Sequence, residues 1–229
     1  LQKFFRGLQS QNQGEKILII DIAFYLFDVL GTAAFAISGA MVACKRRADL
    51  FGVVFLAEIT ALGGGMTRDT LLGRFPPSMF ENWQALIVAL IMALIVFFGV
   101  CYHREAYYRE EATVERINNL VDAVGLGMFA VTGCQVAIQT GHGDNGFLVV
   151  CMGMLTAVGG GLLRDIILGD IPFILTKHIY ALAAIAGATM YYILYLNQVE
   201  EIPAMSVSIC LTFALRWLAT KYRWNLPRP

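Results

Sequence analysis

Charge is what this sequence of 229 residues holds least of. Only 15% of its residues are Asp, Glu, Lys or Arg, against about a quarter in an ordinary soluble domain. The 17 basic and 17 acidic residues cancel, and a neutral chain has no electrostatic footprint for nucleic acid. Reactive constellations are missing as well. Cys44, Cys101, Cys134, Cys151 and Cys210 are scattered with no CxxC pair, so they read as inert packing residues. His103, His142 and His178 fall near loops without metal-ligand spacing. There is no Ser–His–Asp arrangement, and the stretch GGGMTRD lacks the lysine that a phosphate loop requires. Enzyme chemistry and metal binding therefore find no support, and no cofactor is expected. The apolar segments are continuous and do not alternate in ten-residue units, which excludes a transmembrane β-barrel. A cleavable signal peptide is not expected, because the first apolar segment is too long and carries Asp21 and Asp28.

What fills the chain instead is apolar: 58% hydrophobic residues and a mean hydropathy of +0.64. At about 20 residues per crossing, seven segments are long enough to span a membrane: 18–44, 50–72, 83–102, 120–138, 147–168, 179–196 and 203–220. Lys and Arg set the orientation. Lys45, Arg46, Arg47, Arg104, Arg109, Arg116, Lys177, Lys221, Arg223 and Arg228 share one side, while Lys3, Arg6, Lys16 and Arg74 occupy the other. This asymmetry predicts a cytoplasmic C-terminus and an outside N-terminus.

The chain repeats itself. DVLGTAAFAISGAMVA (residues 28–43) aligns with DAVGLGMFAVTGCQVA (122–137), and TALGGGMTRDTLLG (60–73) with TAVGGGLLRDIILG (156–169). Asp28 matches Asp122, and Ser38 matches Thr132. Each copy holds three crossings, and an odd number inverts the second copy. The expected fold is an all-α membrane protein of seven transmembrane helices, built as two inverted three-helix repeats plus a seventh helix. Its parts are an N-terminal extracytoplasmic segment (1–17), the first repeat (18–102), a cytoplasmic linker (103–116), the second repeat (117–196), the seventh helix (203–220) and a cytoplasmic tail (221–229). Inverted repeats with interrupted helices are a plan used by proteins that move solutes.

Each glycine in a helix costs about 1 kcal/mol relative to alanine, and each repeat places three together: Gly63, Gly64 and Gly65, then Gly159, Gly160 and Gly161. The expectation is that helices 2 and 5 break there. A break inside a bilayer survives only where it is buried in protein or lines water, and its exposed carbonyls can replace the hydration of a cation. Thr60 and Thr156, one turn earlier, supply hydroxyls to backbone or ion. The alternative is that glycine simply lets two helices approach. Asp28, Glu58, Arg68, Asp69, Asp122, Arg164 and Asp165 all fall within predicted crossings. Intramembrane ionisable groups pair and mark functional sites, or they clamp the fold. Depth suggests the pairs Asp28–Arg68 and Asp122–Arg164, with Asp69 and Asp165 as rivals for the same arginines. Glu58 has Met154 at its repeat position, and it either lines the path or faces another subunit. Arginines repel cations while aspartates and carbonyls attract them, so the residues alone leave the sign of the solute open.

On these motifs the chain resembles the trimeric intracellular cation (TRIC) channel family, most of all its bacterial and archaeal branch, which is also described as a glycine-transporter-like family. The resemblance covers about residues 18–220. It implies a homotrimer with one pore per subunit, lined by helices one, two, four and five, that conducts K⁺ and some Na⁺. It makes the glycine runs kinks, and Arg68 and Arg164 the pore-associated basic residues. Partners are then further copies of the chain, membrane lipid and the permeant ion. The long basic tail of the animal members is absent, which points to the plasma membrane of a prokaryote. A secondary transporter of a small zwitterion such as glycine is the alternative, since arginine–carboxylate and amine–aspartate contacts would use the same residues. A membrane scaffold without a pathway is the third reading.

Overall fold

The computed structural model describes residues 2–81, 83–176, 179–222 and 224, the side chains of residues 2–17 and 176 excepted. The expectations placed on Lys177, His178, Arg223 and Arg228, and on the side chains of Lys3, Arg6 and Lys16, lie outside the described residues. The apolar segments all form helices: α1 (Gln2–Lys45), α2 (Leu50–Leu71), α4 (Trp83–Tyr102), α6 (Glu111–Ala137), α7 (Gly146–Ile167), α9 (Tyr180–Leu196) and α10 (Glu201–Lys221). Short helices α3 (Ser78–Glu81), α5 (Arg104–Arg109) and α8 (Phe173–Thr176) fill the connections. Six of the long helices are long and apolar enough to cross a membrane, and α9, at 17 residues, is shorter. The chain is an all-helical membrane protein.

The helices α1, α2, α6 and α7 pack together as a central group. α4 lies against α1 and α2, while α9 lies against α6 and α7, and α10 packs on α9 and α6. The most apolar stretch of α6 is 78% buried and that of α4 only 11%, so α6 is a core element and α4 presents its surface outward. Asp49 caps α2 by accepting a hydrogen bond from the Gly52 N–H at 2.8 Å. Asn145 caps α7 through the Leu148 N–H at 3.1 Å, each satisfying an otherwise orphaned amide. Both helices end in the same way. Gly73 (φ 69°) and Gly169 (φ 70°) adopt the left-handed conformation, and the next amide folds back, Arg74 N–H to the Asp69 carbonyl and Asp170 N–H to the Asp165 carbonyl.

The expected breaks at the glycines are overturned. α2 and α7 run as unbroken helices through Gly63–Gly65 and Gly159–Gly161. The glycines serve close approach instead: α2 and α7 cross there. A Cβ on Gly64 would lie 2.1 Å from the Thr156 carbonyl oxygen, and one on Gly160 would lie 1.9 Å from that of Thr60. No other side chain fits between two backbones at that separation. Such contact is how helices gain dispersion energy where lipid supplies no hydrophobic drive. Thr60 and Thr156 are turned inward upon their own helices, their hydroxyls donating to the carbonyls of Leu56 and Met152 at 2.6 Å. Beside the crossing, Phe35 of α1 and Phe129 of α6 meet edge to face, centroids 5.2 Å apart.

Two paired arginine–aspartate clusters form the candidate functional site

One turn beyond each glycine run, α2 and α7 carry an Arg–Asp dipeptide. Arg68 is 5% exposed and Asp69 is fully buried, with Arg164 fully buried and Asp165 2% exposed. The guanidinium of Arg68 holds the Asp69 carboxylate through Nε (2.8 Å) and Nη2 (2.7 Å). Arg164 Nε donates to Asp165 at 2.9 Å, and its Nη2 lies 2.8 Å from the same oxygen as an ion-pair contact. The second carboxylate oxygen then ties down the following loop. Asp69 Oδ2 accepts from the Ser78 N–H and hydroxyl at 2.8 and 2.6 Å, and Asp165 Oδ2 accepts from the Phe173 N–H at 2.9 Å.

The expected partners are thereby corrected: each arginine pairs directly with the adjacent Asp69 or Asp165, not with Asp28 or Asp122. An arginine reaches the carboxylate next to it in sequence without a second helix, so the pair forms within one turn and the loop holds the other oxygen. Asp28 and Asp122 stand one step further off. Asp28 is half-buried and lines a polar cavity of about 60 Å³ with Thr32, Gly65, Arg68, Ser78 and Ala85. Asp122, 2% exposed, reaches Arg164 through a relay. The Ser38 hydroxyl donates to Asp122 Oδ1 at 3.3 Å and accepts from Arg164 Nη1 at 3.4 Å. Ser38 is thus a working part of the second cluster. Its repeat partner Thr132 is buried, with no hydrogen-bond partner for Oγ1 among the described residues. Glu58 lines neither cluster; it is half-buried on α2, and its Oε2 is likewise buried without a hydrogen-bond partner.

Sequence reasoning missed several polar residues. Arg216 of α10 is 1% exposed and lies over the Tyr180 ring, 4.9 Å from its centroid. It sits inside the seventh apolar segment, so the rule applied to Arg68 would have found it. Tyr180, 3% exposed, lies close to Asp122. Gln135 of α6 donates to Glu201 of α10. Asn118, one turn before Asp122, is 7% exposed and helps line a vestibule of about 380 Å³ with Met41, Arg46, Tyr107, Asp170 and Phe173. Ion pairs flank that vestibule: Lys45 with Glu111 at 2.6 Å, and Arg46 with Asp170. The Tyr107 hydroxyl donates to the Met41 carbonyl at 2.7 Å, and burial pushes its pKa well up, so it remains a neutral donor. His142 lies 3.3 Å from the Thr140 hydroxyl, in the wide turn after α6.

A family model described as "Glycine transporter" matches residues 25–100 and 119–196. A UPF0126 membrane protein of Deinococcus radiodurans is 38% identical over 202 residues, covering 87% of this chain and 89% of that one. The UPF0126 inner membrane protein YadS of Escherichia coli K12 is 35% identical, covering 89% and 94%. Among solved structures, a TRIC cation channel studied for its conductance superposes with a TM-score of 0.78 at 40% identity, covering 90% of this chain and 97% of that one. The chain belongs to the prokaryotic branch of the TRIC family. The TRIC orthologue from Rhodobacter sphaeroides is similar to it at 32% identity and a TM-score of 0.79, covering 87% and 98%. A TRIC counter-ion channel at 14% identity and a TM-score of 0.58 shares the fold. In this TRIC family member both Arg–Asp clusters lie in the stretches that the family model matches.

Proposed function

We propose that this chain is a monovalent cation channel, passing K⁺ and some Na⁺, with a pore in each subunit of a homotrimer. The observation that carries the reading is the polar seam along α1, α2, α6 and α7. It runs from the Asp28–Arg68–Asp69 cavity to the Ser38–Asp122–Arg164–Asp165 relay. Ionisable side chains at membrane depth are expensive and mark ion paths. Here each arginine is neutralised by its neighbour, which leaves Asp28 and Asp122 to attract a cation. The solved relatives are described as cation channels, in line with this reading.

The topology that fits is two inverted three-helix repeats followed by α10, seven crossings in all. The basic residues then place the C-terminus in the cytoplasm and the N-terminus outside, in the plasma (inner) membrane of a prokaryote. The matched stretches 25–100 and 119–196, and the paired bonding of Asp69 and Asp165, favour the duplication. Recording in a planar bilayer under K⁺, Na⁺ and Cl⁻ gradients tests the function. Unitary steps whose reversal potential follows the K⁺ gradient are expected. Silence in the bilayer combined with glycine uptake into vesicles would replace the channel by a carrier of a small zwitterion, for which the same arginine–aspartate clusters would serve.

A further inference from the structure

The two clusters share their bonding but not their filling. After α2 and α7 the loops differ in length by one residue, as the hydrogen bonds record. Phe80 N–H bonds the Pro77 carbonyl and Leu175 N–H that of Pro172. Ser78 N–H bonds Asp69 and Phe173 N–H bonds Asp165. Carried into the next helix, this register aligns the fully buried Ala89 and Ala93 of α4 with the fully buried Ala184 and Ala188 of α9. It also sets Ser78 opposite Phe173 and Ala85 opposite Tyr180.

Ser78 and Ala85 are small residues in the lining of the cavity beside Arg68. In the second cluster both positions are aromatic. The Phe173 ring lies 5.1 Å from the Arg164 guanidinium, and the Tyr180 side chain lies close to Asp122 and Gly161. Arg216, from α10, which has no counterpart in the first half, presses on the Tyr180 ring from behind. On its other side Phe173 faces the vestibule lined by Met41 and Asn118. Phe173 therefore stands between the vestibule and the fully buried Arg164, and Tyr180 packs beside Asp122 and Gly161 on the inner side.

We propose that Phe173 and Tyr180 form an aromatic plug that closes the Arg164 end of the pathway, with Arg216 of the seventh helix as its backing. The Arg68 end, built on Ser78 and Ala85, has no such plug. The proposal rests on the channel reading, and its test is chosen so that the two can fail separately. A cysteine at Ser38→Cys lies just behind the plug. Its modification by a water-soluble methanethiosulfonate is followed by mass spectrometry at residue 38, so the five native cysteines do not interfere. In the parent the site is reached only through minor open states, populated at about 0.1–10%. Phe173→Ser with Tyr180→Ala is accordingly expected to speed modification by about tenfold or more, with each single change in between. Phe173→Leu with Tyr180→Phe keeps the bulk and is expected to label at the parental rate.

An unchanged rate in the folded double variant, or equal acceleration by the conservative pair, would overturn the plug. Should the double variant fail to fold, the single changes decide in the same terms. Faster labelling with no cation current in any variant leaves the plug standing and removes the channel reading. Cation current in the parent without faster labelling does the reverse.

Discussion

Arg68 and Arg164 each hold the aspartate that follows them, in different surroundings, and their removal should therefore differ in cost. Arg164 is fully buried beneath the Phe173 ring. Without it, Asp165 keeps, among the described residues, the Phe173 N–H alone, and Ser38 loses the Arg164 donor. Breaking a buried pair by removing one partner costs about 3–5 kcal/mol. Arg68 borders the open cavity, and Asp69 retains both the N–H and the hydroxyl of Ser78. Water can reach the orphaned carboxylate there. Arg164→Ala should lower the thermal unfolding midpoint in detergent more than Arg68→Ala. Arg68→Ala should change cation current more than stability, because it leaves a net negative cavity. Equal midpoints for the two variants would remove the distinction.

At the scale of elements, the glycine runs decide how α2 and α7 meet. Two unbroken helices cross with backbone against backbone at Gly64 and Gly160. A methyl group at Gly160 would have to displace the Thr60 carbonyl, a rigid backbone atom that cannot rotate away. Overpacking of this kind costs about 1–3 kcal/mol or more. Gly160→Ala is expected to destabilise the protein and Gly160→Leu to prevent its assembly. Gly99 of α4 is the control, since nothing lies within 4 Å of its added Cβ. Gly99→Ala should leave the midpoint unchanged or raise it, as alanine favours a helix interior by about 1 kcal/mol. Thermal scans of both alanine variants check the contrast. If Gly160→Ala were neutral, the crossing would be looser than its geometry implies.

At the scale of the whole molecule, large apolar side chains remain outward. Phe51, Trp83, Ile95 and Phe98 are 59–76% exposed along α2 and α4, and Phe147 at the start of α7 is 83% exposed. A bilayer covers such surface in part, and further copies of the chain cover the rest in the homotrimer proposed above. Mass measurement in mild detergent should return three times the 25.2 kDa of the chain. A stable monomer at every concentration would remove both the trimer and the pore count built on it.

The sequence alone was enough for whatever depends on composition and on spacing along the chain. Apolar segments of about 20 residues must become helices in lipid, because every backbone group has to be satisfied within its own segment. The helical segments were therefore legible, and so were the repeated motifs and the charges of Arg68, Asp69, Asp122, Arg164 and Asp165 that the fold buries. What the sequence left open was every question about neighbours. A triple glycine weakens a helix locally, which predicted a break; only the packing of α2 on α7 showed the weakness offset by close contact. Depth in the membrane suggested Asp28 and Asp122 as ion partners, whereas reach and rotamer gave the arginines to Asp69 and Asp165. Arg216 lay in plain view within an apolar run, but its place beside Tyr180 depends on how α10 packs against α6 and α9. The filling of one cluster and the opening of the other rest on Phe173 and Tyr180 against Ser78 and Ala85, residues far apart in sequence that only the folded chain brings to an arginine.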